Sequence, residues 1–312
     1  MNFACTLCLV LLAAYGLASL LLSIVVAGIW SLRLERLRAT SGELLALRLL
    51  PSAGALFLAL SVVLPAFLTY EPNRAAEPVG PLLLVLALLA LAAMGGGIWR
   101  GCKAWSAAAV LLRSCGPAKR CEMAGLEVDI VDVREPMVAV VGAWHPRIVA
   151  AAGVVAACDG EEFRQVIEHE AAHISARDNL KLLLLLASPD ALAWLPAGDA
   201  LTARWRAAVE FEADAAATGP DVRKRVALAS ALIKVARLST AAKRELAVLL
   251  MPVALDDVEG RVRRLLAPPT ESPGTRRVTI GMACALLFAL AAVPLYGPIH
   301  EFLEALVAFA GR

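Results

Sequence analysis

The chain has 312 residues, 60% of them hydrophobic and 19% charged, and a formal net charge of +2. Its mean hydropathy of +0.71 is above that of a water-soluble domain, which is about half apolar; a wholly soluble fold is excluded and a membrane protein is expected. A charge so near neutrality gives no ground for a direct nucleic-acid partner, and none is expected.

Four stretches without charged side chains account for the excess: 1–32, 49–70, 78–99 and 278–299. Each is about as long as a bilayer-spanning helix requires. Trp30, Tyr70, Trp99 and Tyr296 sit near their ends, where interfacial aromatics belong. Four transmembrane helices are predicted, in contact with the lipid bilayer of the cell membrane. Cleavage of the first as a signal peptide is not expected, because no basic residue precedes Arg33 and the apolar run is too long. Arg33, Arg36, Arg38 and Arg48 follow the first helix, Arg100, Lys103 and Arg113 the third, and Arg276 and Arg277 precede the fourth; the 71–77 loop has only Arg74. The positive-inside rule then puts the amino terminus outside, 33–48 and 100–277 in the cytoplasm, and 300–312 outside. The seven cysteines are scattered, and the Cys5-x-x-Cys8 pair inside an apolar helix is read as small helix residues. With no ionisable residue inside the four spans, a transporter reading is weak.

Within 100–277, "LEVDIVDV" (126–133), "MVAVVG" (137–142) and "RIVAAAGVV" (147–155) read as short strands, the last two forming a hairpin around "AWHP". Asp159 and Glu162 form a capping-box signature. They open a helix expected to run to about Ser188, ahead of Pro189. The 182–198 segment, broken by Pro189, Asp190 and Pro196, is too short to span a bilayer; it reads equally as buried core or as a hairpin at the membrane surface. Helices are expected at about 200–217 and 221–238, then a basic helix and a Pro-rich linker into the last span.

Two of the four histidines lie in "EHEAAHISARDNL", residues 168–180. His169 and His173 are one helical turn apart, about 40° around the axis, with Glu170 on the same side. That spacing lets two imidazoles grip one metal ion with the glutamate beside a metal-bound water. A catalytic zinc needs a third protein ligand. His300 falls on the far side of the membrane and His145 in the hairpin turn, so the better candidate is Glu210 in "RAAVEFEADAAA" (206–217). Asp214 shares its helix face and suits a hydrogen bond to a ligand histidine. One Zn2+ ion held by His169, His173 and Glu210 is expected, with Glu170 as general base. On a continuous helix Asp178 lies about 140° from His173 and reads as structural support, while Arg177 projects toward the site face as a candidate substrate contact. No residue is assigned to oxyanion stabilisation.

H-E-x-x-H followed by E-x-x-x-D is the gluzincin pattern. "HEAAHISARDNL" resembles the active-site helix of BlaR/MecR-type integral-membrane metallopeptidases; "VVGAWHPRIVAA", "AWLP", "EFEAD" and "EGRVRRLL" are similar to that family's strand element, tryptophan-proline turn, acidic helix and late basic helix. The resemblance covers roughly residues 100–298. It implies an α-helical membrane protein with an α+β zincin-like cytoplasmic domain, three membrane helices before it and one after. It also implies a zinc endopeptidase acting on a protein or peptide substrate, such as a transcriptional repressor, in regulatory signalling, with an extended substrate pairing to one of the strands. Only "HEFLEALVAFAGR" follows the fourth span, too short for the family's extracellular penicillin-binding domain, so no β-lactam binding is expected. "EFEAD" also fits the heat-shock and prenyl-protein-protease type, which acts on membrane proteins, while the hairpin "GAWHPRI" favours the BlaR/MecR type. A non-catalytic scaffold retaining a protease fold is the alternative outside enzymes.

Overall fold

A computed structural model describes residues 3–33, 39–70, 80–115, 118–241 and 258–267. The expected fourth membrane helix at 278–299, the 71–77 loop and the 300–312 tail, with His300, lie outside the described residues. The chain divides into two compact units, one built on residues 1–100 and 187–203, the other on 101–186 and 204–272.

In the first unit, three helical spans are long and apolar enough to cross a membrane: Phe3–Ser31, Ser41–Thr69 and Pro81–Ser114. The first is helix α1 (Phe3–Arg33). The second begins at Ser41 as α2 (Ser41–Leu58), passes through a π-helical turn at Ala59–Val63 and ends as α3 (Leu64–Tyr70). Its start is fixed by a capping box: Glu43 N–H donates to Thr40 Oγ1 and Thr40 N–H to Glu43 Oε2. The π turn runs up to Pro65, whose missing N–H leaves the ordinary helical ladder one donor short. The third span is α4 (Pro81–Ser114). Small residues let these helices approach closely, as membrane packing favours. A Cβ on Gly16 would stand 2.5 Å from Leu86 O, and Ala13, Ala87 and Ala90 are buried around it.

Because the second span starts at Ser41 and not at Leu49, it includes Arg48. The cap extends the helix upstream of the uncharged stretch at 49–70, so this candidate span carries an ionisable residue near its start. Arg48 is buried, and its Nη1 donates to both carboxylate oxygens of Asp190, at 3.1 and 3.0 Å. Asp190 belongs to the 182–198 segment, in whose middle Ser188, Asp190 and Leu192 are buried. Its turn is held by all three membrane spans: Tyr15 Oη donates to Pro189 O, Ser52 and Ser188 share a 2.7 Å hydrogen bond, and Arg100 donates to Ser188 O. Asp190 also caps a 3₁₀ turn at Ala191–Trp194 by accepting from Ala193 N–H, and Leu192 N–H donates to Ser23 Oγ.

The second unit holds a four-stranded sheet of order β1-β2-β4-β3, made of β1 (Lys119–Met123), β2 (Leu126–Val131), β3 (Val138–Val141) and β4 (Arg147–Ala151). β1 pairs antiparallel with β2, β2 parallel with β4, and β3 antiparallel with β4, Val140 facing Ile148. The β3–β4 hairpin matches the sequence reading; β1 does not appear in it. The end of "RIVAAAGVV" is the short helix α5 (Ala152–Ala157), not strand. The core joins Val128, Val138, Ile148 and Val149 of the sheet to Phe163, Val166 and Ile167 of helix α6 (Gly160–Ala176). Leu228 and Leu232 of a later helix and Leu265 of the last described one complete it. Asp159 and Glu162 form the expected capping box on α6. The helix does not continue to Ser188: it ends at Arg177, left-handed at φ 56°, and α7 (Asp178–Ala187) starts afresh. Helices α8 (Pro196–Thr218), α9 (Val222–Ala241) and α10 (Val258–Leu266) follow.

Candidate metal centre

The centre is assembled from α6, α8 and α10, and its side chains are buried. α6 has an apolar face on the sheet, carrying Phe163, Val166 and Ile167, and the helical repeat turns His169, Glu170 and His173 toward one side. α8 brings Glu210 and Asp214, four residues and one turn apart. Glu212 between them is exposed, as a 100° repeat requires.

The structure brings His169, His173 and Glu210 together. The two Nε2 atoms are 3.1 Å apart; Glu210 Oε2 is 3.5 Å from His169 Nε2 and Glu210 Oε1 is 3.6 Å from His173 Nε2. Three donors about 2.0–2.2 Å from a tetrahedral ion stand about 3.3–3.6 Å from one another; both Glu210 distances match this and the Nε2 pair is slightly closer, so the three side chains could hold one metal ion. Behind the ligands, Asp214 Oδ1 lies 3.0 Å from His169 Nδ1 and Asp178 Oδ2 lies 2.9 Å from His173 Nδ1. If His173 Nδ1 donates to Asp178 and His169 Nδ1 carries its proton beside Asp214, the two Nε2 lone pairs meet. That arrangement is repulsive unless a cation or a proton lies between them.

Asp178 reaches His173 only because the helix breaks. The left-handed turn at Arg177 replaces the 140° offset of a continuous helix and swings Asp178 back under the imidazole, where Lys181 Nζ also bonds it at 3.0 Å. The next residue, Asn179, donates from Nδ2 to Val140 O and Gly142 O at 2.8 and 3.0 Å. One turn of chain thus holds a ligand histidine and the outer edge of β3 at once. Glu170 reaches the same strand, its Oε2 accepting from Val140 N–H at 3.0 Å. His145 stays in the hairpin turn and away from the cluster.

Arg261, like Asn179, is a residue of the site that the sequence reading missed. Only 2% exposed, it donates to Asp214 from Nε at 2.9 Å and Nη2 at 2.6 Å, and its Nη1 lies 2.8 Å from Glu210 Oε2. The signal was present in "VEGRVRRLL": Arg261 shares a helical face with Val258, Val262 and Leu265, which pack on the core, so it is the one arginine on the apolar side.

Electrostatics follow from burial and pairing. Burial alone would lower the His169 pKa, but the carboxylates of Asp214 and Glu210 outweigh it and raise it to about 9. Burial likewise works against the ionised form of Asp214, yet His169 and Arg261 hold its carboxyl down to about 2. Glu210 is lowered against its own desolvation by His169 and Arg261. Glu170 goes the other way: burial pushes its carboxyl above the ordinary range despite the neighbouring histidines.

Compared with models of known protein families, with curated proteins and with solved structures, the chain finds no match in any of the three.

Proposed function

We propose that the protein is a membrane-anchored zinc endopeptidase that hydrolyses peptide bonds of a cytoplasmic or membrane-associated protein, a regulatory protease of the BlaR/MecR type. The observation that carries this reading is the convergence of His169, His173 and Glu210 beside a buried carboxyl, Glu170, that accepts a hydrogen bond from the edge of a β-strand. The reading includes a zincin-like fold, a fourth span at 278–299, and a cytoplasmic site; the basic residues flanking the spans support that orientation.

Zinc bound there would supply Lewis-acid polarisation of the scissile carbonyl and a water acidic enough to attack near neutrality. The chain's own groups do the rest. Asp214 and Asp178 fix the tautomers and ring orientations of His169 and His173. Arg261 offsets the charge of Glu210 and Asp214. Glu170, with its pKa raised by burial, is suited to take a proton from water and return it to the leaving amine. β3 is an edge strand, the kind an extended substrate joins by main-chain hydrogen bonds, although at Val140 a substrate would first have to displace Glu170 and Asn179 from its N–H and C=O.

The test compares wild type with Glu170→Gln in the full-length protein. Purified from cells in detergent, both are expected to carry about one zinc per chain, and only wild type generates new cleavage products in the cells expressing it. Protein without zinc, or identical products from the two, refutes the proposal.

A further inference from the structure

A cavity of ≈ 330 Å³ opens beside His173, between the chain after β3 and the junction of α6 with α7. Trp144, Pro146, Ile174 and Leu180 give it apolar walls, and Asn179 lines it too. Arg177 is its one cationic lining residue, and no carboxylate lines it. The Arg177 side chain is exposed and makes no hydrogen bond or ion pair with any described residue. Its backbone is left-handed, φ 56°, a conformation that costs every residue except glycine. A strained, unpaired arginine at the rim of an apolar cavity, next to a metal ligand, is a feature the proposed hydrolysis does not use.

We propose that this cavity selects the substrate residue beside the scissile bond, taking one that joins an apolar body to a carboxylate. The apolar part lies against Trp144, Pro146, Ile174 and Leu180, and the carboxylate pairs with the Arg177 guanidinium, which presents two parallel donors to such a group. Two sources supply that chemistry: an apolar residue at a chain end, whose removal would make the peptidase act as an exopeptidase, or an internal aspartate or glutamate next to an apolar residue. The inference rests on the peptidase reading for the identity of the ligand as a substrate, and the geometry that supports it belongs to the cavity itself.

Binding is measured on the full-length Glu170→Gln protein, zinc-loaded in detergent, so that probes are not consumed. The probes are acetyl-Ala-Leu, its amide, acetyl-Ala-Leu-Glu amide and its Gln counterpart. An acidic probe is expected to bind roughly tenfold or more tightly than its neutral partner. The ratio falls to about one in Arg177→Gln and in Arg177→Gly, and is partly restored in Arg177→Lys. Arg177→Gly relaxes the left-handed backbone, so its loss of preference is not a folding defect. Preference for the free acid identifies a chain end, and preference for the glutamyl amide an internal acidic residue. Equal binding of acidic and neutral probes, or a preference that survives Arg177→Gln because the ion itself takes the carboxylate, overturns the proposal. A protein that shows the Arg177-dependent preference but whose wild type cleaves nothing overturns the peptidase reading instead.

Discussion

His169 is pulled two ways. Desolvation disfavours its charged form, while Asp214 and Glu210 favour it and win, bringing the pKa from 6.5 to about 9. In metal-free protein this imidazole is therefore protonated at neutral pH, and an incoming cation must displace the proton. Zinc affinity is expected to rise with pH up to about 9 and to level off above it, with proton release on binding; calorimetric titration in two buffers of different ionisation enthalpy measures it. The stability of the metal-free protein follows by linkage. A raised histidine pKa stabilises below 6.5, and that contribution is lost as pH rises through about 9. A carboxyl depressed from 3.8 to about 2 stabilises above 3.8, and the contribution is lost as pH falls toward 2. Unfolding of the chelator-treated protein is thus expected to be hardest between roughly pH 4 and 6.5 as far as these two groups decide it, and a midpoint that keeps rising from pH 7 to 9 would contradict that coupling.

Elements here are decided at their ends. α6 starts where Asp159 and Glu162 satisfy its first donors and stops at Arg177, and the stop is what supplies Asp178 and Asn179 to the site. A residue-angle argument on an unbroken helix cannot see that turn, because nothing in "ISARDNL" marks a left-handed residue in the way a glycine would. β1 escaped for a different reason: "KRCEM" has three charged residues in five and little strand character of its own; it is a strand because β2 offers it a ladder. The two strands are joined by Ala124 and Gly125, at φ 54° and 75°, the signs a two-residue type I′ turn needs. Gly125 meets that demand freely, and Ala124 does not. Ala124→Gly is expected to stabilise the protein by about 1 kcal/mol, read as a higher thermal unfolding midpoint. An unchanged or lowered midpoint would mean the turn is not strained.

Across the molecule, the segment joining the helices that carry His169, His173 and Glu210 is held by several polar contacts to described residues of the membrane-helix unit. α7 runs into the Ser188–Asp190 turn and α8 leaves after it, and that turn is bound by Arg48, Ser52, Tyr15 and Arg100. Removing one partner of a buried ion pair costs about 3–5 kcal/mol, while replacing both by apolar residues is often neutral. Asp190→Ala is therefore expected to lower the unfolding midpoint in detergent sharply, and the Arg48→Met/Asp190→Leu pair to recover most of the loss. If the double replacement is as damaging as the single one, the serine and tyrosine contacts hold the turn, not the charges.

The sequence by itself marked the three described helices that are long and apolar enough to cross a membrane, because length and composition are local properties, and it placed His169, Glu170 and His173 on one helix face, because the helical repeat is local. It also singled out Glu210 and Asp214 as a pair one turn apart. What only the tertiary structure decided is which distant groups meet: the carboxylate of Glu210 closing on two imidazoles, Arg261 neutralising it from beyond residue 257, Asn179 tied to a strand edge, and Asp190 paired with an arginine 142 residues earlier. Those contacts depend on how chain ends, turns and buried charges are satisfied together in three dimensions, and no local periodicity encodes that.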